Sequence, residues 1–137
     1  PRGDRVAAHV YSGATDVVMG LPNPDPGEEF PHVNTQLFGL VDPADNATAQ
    51  VGQMRAPFNA PPPGTAPTMD GFLKDYWNNF TRLRRGTEPT LEEASQIMGG
   101  FSPEQLPVLS ALAREFAVFD AWFAGVPSQT YCNRSAS

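Results

Sequence analysis

Proline most constrains what this chain can fold into, because each one fixes φ and removes a backbone donor. Fifteen of the 137 residues are proline, and eleven of those lie within residues 1–67, at positions 1, 22, 24, 26, 31, 43, 57, 61, 62, 63 and 67. Seven of the twelve glycines share that stretch. Residues 1–67 are therefore expected to be loop-rich, with short elements between turns. Val17-Val18-Met19 reads as a short strand, and His32 to Leu40 as a short helix with Val33, Leu37, Phe38 and Leu40 apolar. Pro61-Pro62-Pro63-Gly64 reads as a stiff, extended surface connection.

Residues 68–137 read as the regular part. From Met69 to Arg85 the apolar residues Phe72, Leu73, Tyr76, Trp77, Phe80 and Leu83 make one broad helical face, with Gly86 as its stop. Thr90-Leu91-Glu92-Glu93 has a capping-box pattern ahead of Ala94, Ile97 and Met98, and Gly99-Gly100 ends that helix. Ser102-Pro103-Glu104-Gln105 repeats the start signal with Pro103 at the first helical position. Leu106, Leu109, Leu112, Ala113 and Phe116 then share a face, and Pro107 is tolerated in the first turn. Ala117 to Ala124 is nearly all apolar and bounded by Gly125, which predicts a buried strand. A polar turn, Val126 to Thr130, follows, and a new helix from Tyr131. Helix, buried strand, turn and helix is α/β grammar, in which ligands gather at the carboxyl ends of strands. The segment from Ser128 to Arg134 would occupy that place.

At 14.8 kDa the chain is the size of one domain. Forty percent apolar content can supply a core. A net charge of −6 argues against a nucleic-acid module, whose affinity rests on clustered cations. The one basic cluster, Arg82, Arg84 and Arg85, is most simply a set of charges complementing a helix C-terminus, the alternative being a contact to an anion or a lipid headgroup. No apolar run approaches a membrane span, and no signal-peptide pattern is present. The chain begins and ends in mid-phrase and is expected to be a piece of something longer, marginal in stability by itself. Cys132 stands alone, which excludes an internal disulfide and a cysteine-rich zinc site. It reads as a small buried filler, and Trp77 and Trp122 as core.

The candidate chemistry lies near the end of the chain, where Ser128, Gln129, Thr130, Asn133, Arg134 and Ser135 stand within eight residues. The start of a helix favours an anion through its free N–H groups and dipole. With Thr130 at a cap or first turn, Asn133 and Arg134 lie one turn further on the same face, and an arginine fork suits phosphate. A Ser or Thr before a helix is also the ordinary cap. Asp120, inside the expected strand, is either a ligand or base or a hydrogen-bonded structural group. His9 and His32 lie in Pro/Gly-rich loops with no second His at ligand spacing, and read as solvated or locally bonded rather than as ligands. Asp25, Glu28 and Glu29 around Pro26-Gly27 read by default as a solvated acidic turn, with a metal contact as the alternative. No P-loop, dinucleotide fingerprint or HExxH motif is present.

Five blocks then carry a resemblance. Asn23-Pro24-Asp25-Pro26-Gly27-Glu28-Glu29-Phe30 through Gln36-Leu37-Phe38-Gly39 is similar to a "DPGH/E…V…QLFG" stretch of the bacterial phosphoesterase family, which contains phospholipases C and related acid phosphatases. Met69-Asp70-Gly71-Phe72 with Asp75-Tyr76 resembles its next block, and Ile97 to Leu109 its "MGYFTPEQLPVL" block. Phe116 to Asp120 with Trp122-Phe123, and Val126 to Thr130 with Asn133-Arg134, resemble the approach to the family's nucleophile. The blocks run in order from about residue 23 to 135.

The resemblance implies a segment of an alkaline-phosphatase-like α/β fold, a mainly parallel sheet between helices. It implies hydrolysis of phosphate esters or phospholipids by a metal-assisted nucleophile, which maps to Thr130. Thr130 would also be a ligand of a divalent metal ion, and Asn133 and Arg134 would hold the phosphate. The family's other metal ligands, a Glu-Asn pair before this segment and an Asp pair far after it, are expected outside residues 1–137. Position 28 is Glu where many relatives have His, and position 121 is Ala where many have His. Family members are often exported. The rival expectation is a catalytically incomplete relative with a binding role or none.

Overall fold

The computed structural model describes residues 5–11, 22–40 and 61–136. The expected strand at 17–19 lies outside them. Its longest element is a helix, Phe72–Leu83, here called α2. It is shorter at both ends than the expected 69–85. Met69 at φ 59° and Arg85 at φ 53° take left-handed backbone, with Gly86 at φ 95° following, so the helix cannot run through them. Leu73, Tyr76 and Phe80, spaced three and four apart, turn inward and bury against Ala94, with Val6, Trp77 and Ile97 packed around them. Each large apolar side chain so buried contributes roughly 1.5–3 kcal/mol.

The shorter helix before it, α1, spans Phe30–Phe38, two residues ahead of the expected start. Pro31 is tolerated in its first turn, where no intrahelical donor is lost. Gly39 ends it in the left-handed conformation, its N–H donating to the Thr35 carbonyl at 2.8 Å. The two helices meet at Gly71, whose N–H donates to the Gln36 carbonyl at 3.0 Å. A Cβ there would lie 1.7 Å from the Thr35 oxygen, so only glycine permits this approach.

Helix α3, Leu91–Ser95, starts on the expected capping box. Thr90 Oγ1 accepts from the Glu93 N–H at 3.1 Å, and Glu93 Oε2 accepts from the Thr90 N–H at 2.8 Å. A 3-10 turn, Gln96–Met98, leads into Gly99–Gly100. These glycines do end the helix, and they also form a strand, β2, parallel to β1 at His9–Val10 in the register His9 to Gly99 and Val10 to Gly100. Glycine is needed at 99, since a Cβ would meet the Tyr11 ring at 2.2 Å. Gln105 Nε2 donates to the Tyr11 carbonyl at 2.7 Å and fixes the next turn to this pair. The described residues thus form a mixed structure of helices and a small parallel sheet.

Two expectations are corrected in the last third. Ser102 and Gln105 do exchange reciprocal bonds, Ser102 N–H to Gln105 Oε1 at 2.7 Å and Gln105 N–H to Ser102 Oγ at 3.4 Å. They close a turn, however, and helix α4 begins only at Pro107 and runs to Glu115. The segment 117–124 is not a buried strand. It pairs with no described strand, and Trp122 and Phe123 are each 80% exposed. An apolar run becomes a buried strand only where neighbouring strands satisfy its backbone, and β1 and β2 are elsewhere. Trp122 is accordingly not core; it stacks edge-on against Phe119, with ring centres 5.8 Å apart. Asp120 is exposed with them.

Candidate functional site

Helix α5, Thr130–Ala136, starts at the residue that the spacing singled out. Thr130 is its first residue and is exposed. Asn133 lies one turn on, and its side chain folds back over the preceding turn. Its Oδ1 accepts from the Val126 N–H at 2.9 Å. Its Nδ2 donates to the carbonyls of Val126 at 3.0 Å, Ser128 at 2.8 Å and Gln129 at 3.2 Å. The Asn133 amide therefore clamps the turn that delivers Thr130. Arg134, exposed, follows on the same helix. Cys132 is exposed and not the buried filler expected.

A second construction lies between α1 and α2. His32, expected to be solvated or locally bonded, is 4% exposed. Its Nδ1 is 2.8 Å from Oδ1 of the buried Asp75, forty-three residues away. Gln36 Nε2 donates to the other Asp75 oxygen at 2.9 Å and to the Gly27 carbonyl at 2.8 Å. The acidic turn is thus tied to both helices. Tyr76 donates its hydroxyl to the Pro24 carbonyl at 3.0 Å, and Asn79 Nδ2 donates to that of Asp25 at 3.1 Å. Burial pushes the Tyr76 hydroxyl above its usual pKa range, and the Glu93 carboxylate adds to this. His9, by contrast, is exposed, with only a local contact to the Ala7 carbonyl, as expected.

Between the acidic turn and the Thr130 turn lies a cavity of about 240 Å³. Asp25, Glu28 and Glu29 line one side, His32, Asn79 and Arg82 another, and Gln129 joins it to the residue before Thr130. Asp25 and Glu28 are exposed, as a solvated turn requires. Among the described residues no group of three or more His, Cys, Asp or Glu converges as a metal site. Thr130 brings one neutral hydroxyl, so these residues by themselves do not fit a divalent ion. No helix among them is long and apolar enough to cross a membrane.

The constellation of Thr130, Asn133 and Arg134 was visible in the spacing, but the clamping role of Asn133 was not. The His32–Asp75 pair and the cavity carried no local signal, because their residues come from segments far apart in sequence.

Comparison with known proteins gives a consistent picture. The profile of the Phosphoesterase family matches residues 8–137. Non-specific phospholipase C3 of Arabidopsis thaliana is 34% identical over 112 residues, covering 82% of this chain and 17% of the relative. Non-specific phospholipase C4 of the same plant is 36% identical over 112 residues, covering 82% and 16%. Non-specific phospholipase C1 is 34% identical over 110 residues, covering 80% and 15%. These relatives are plant proteins, so the likeness is not confined to bacterial sequences. The chain spans about one sixth of the length of the curated relatives it matches. No solved structure gives a significant match.

Proposed function

The chain belongs to the Phosphoesterase family, and on that premise we propose that it is part of the catalytic domain of a phosphate-ester hydrolase in which Thr130 is the nucleophile. The observation that carries this reading is the placement of Thr130, exposed at the start of α5 on a turn held by four hydrogen bonds from Asn133. The first N–H groups of a helix lack intrahelical partners and point toward such a residue, where they favour developing negative charge.

In the proposed reaction Thr130 Oγ forms a bond to phosphorus as the bond to the leaving-group oxygen breaks. The leaving oxygen departs with that electron pair and takes up a proton, and the Thr130 hydroxyl gives its proton to solvent or a base. Water then cleaves the phospho-threonine and restores the hydroxyl. Asn133 acts by holding the turn, and Arg134 offers its fork to the phosphoryl oxygens. Phosphomonoesters and phospholipid diesters share the group attacked. The phospholipase C names of the relatives support the lipid class. The alkaline-phosphatase-like fold belongs to the same proposal and is supported by the parallel pairing of β1 with β2.

A Thr130→Ala variant of the full-length protein is expected to lose nearly all phosphoesterase turnover while keeping its melting temperature. Wild-type rates in the presence of divalent metal would refute the assignment. Turnover is also expected to disappear on chelation and return with added metal, which separates the metal expectation from the choice of nucleophile.

A further inference from the structure

Helix α4 has nine residues, and none of them is buried. Val108, Leu109, Leu112 and Phe116, spaced one, three and four apart, share one side of it. They are 74%, 62%, 50% and 73% exposed. A helix of this length is marginal in water by itself, and one with an apolar face draws its stability from what packs on that face.

The run that follows lacks partners on two sides. Fully extended, it would place Phe119 and Phe123 on one side and Val118 and Trp122 on the other. These four side chains are 66–80% exposed. In the structure the run bends at Asp120 and Ala121, with Phe119 and Trp122 edge to edge. Among the described residues no backbone hydrogen bond ties residues 117–124 to another element. Exposed backbone and exposed rings thus coincide on one segment, and Asp120 is its one charge.

The two-sidedness selects the partner. A bilayer or a second copy of the chain docks against one side of a surface. A run apolar on both sides matches a segment enclosed from both sides, as inside an α/β domain. A net charge of −6 also opposes an anionic lipid surface. The curated relatives have ample polypeptide for such an enclosure, since the matched stretch is 17% and 16% of their length.

We propose that α4 and residues 116–123 are the seat of further polypeptide of the same protein, from outside residues 1–137. That polypeptide covers the apolar side of α4, encloses the run on both sides and supplies partners for its backbone groups. The inference rests on the reading of the chain as part of a catalytic domain. The run leads through Gly125 into the turn that Asn133 clamps, so docking there also fixes the approach to Thr130.

The test is hydrogen–deuterium exchange of the full-length protein in lipid-free solution at two protein concentrations. Amides of 117–124 are expected to exchange about 100-fold or more slowly than in an unstructured peptide, equally at both concentrations. Exchange as fast as in such a peptide overturns the proposal. So does protection that grows with protein concentration, which assigns the face to a second copy. Protection that arises only on phosphatidylcholine vesicles overturns it in favour of a lipid surface. Leu109→Glu is expected to lower the melting temperature of the full-length protein by about 5 °C or more; an unchanged value overturns the covering of α4. Should that variant fail to fold, exchange in the wild-type protein still decides. If 117–124 is protected while Thr130→Ala keeps full turnover, the docking face stands and the nucleophile is wrong. If Thr130→Ala is inactive and 117–124 exchanges freely, the docking face alone is overturned.

Discussion

Two side chains of α2 do most to join the loop-rich part of the chain to the regular part. Asp75 is 1% exposed and bonds both His32 and Gln36 from α1. Replacing it with alanine leaves the buried His32 Nδ1 without its partner and Gln36 Nε2 with the Gly27 carbonyl alone. Asp75→Ala is therefore expected to cost about 2–4 kcal/mol, read as a shift in the denaturation midpoint. Tyr76 supplies a pH signature. Its folded pKa is raised above the ordinary 10.0, by burial first and by Glu93 next. The folded state thus holds the phenolic proton more tightly than the unfolded chain. The associated stability is fully present below the unfolded value and is lost as pH rises through the folded one. Stability should fall in that alkaline window, and Tyr76→Phe should flatten the fall. The same variant should cost about 1 kcal/mol at neutral pH for the bond lost to Pro24.

At the scale of elements, the helices were legible where local signals agreed. Leu73, Tyr76 and Phe80 gave α2 its face, and Thr90 with Glu93 gave α3 its start. The trimmed ends of α2 were not legible, because left-handed backbone at Met69 and Arg85 has no mark in those residue types. β1 was missed for a different reason. Two residues at His9–Val10 become a strand only by pairing with glycines ninety residues later, a non-local fact. The apolar run from 117 to 124 misled in the opposite sense. Its composition satisfies the pattern of a buried strand, and pattern cannot supply the neighbours that bury one. The close approach of α1 to α2 yields a sharp expectation. Gly71→Ala would drive a methyl group into the Thr35 carbonyl and must force the helices apart. It is expected to destabilise by about 1–3 kcal/mol, whereas alanine at Gly86 meets no neighbour and is strained only by its φ. Paired melts of the two variants separate steric from conformational cost.

Across the whole molecule, apolar side chains are distributed unevenly. The core gathers on α2 and α3, while Val108, Leu109, Phe116, Phe119, Trp122 and Phe123 face solvent. These exposed side chains lie on the segments leading to Thr130. Of the candidate site, the triad of Thr130, Asn133 and Arg134 could be read from helical spacing, since residues three and four apart share a face. The cavity could not, because Asp25, Arg82 and Gln129 meet only through the packing of α1 and α2 and the turn before α5. The central claim is that Thr130 carries the phosphoryl group during turnover. Acid quenching of the full-length protein during hydrolysis of a phosphate ester, followed by peptide mass spectrometry, tests it most directly. The account predicts one phosphoryl group on Thr130, absent from the Thr130→Ala variant. Steady turnover by that variant, or a phosphoryl group trapped on a different residue, would contradict it.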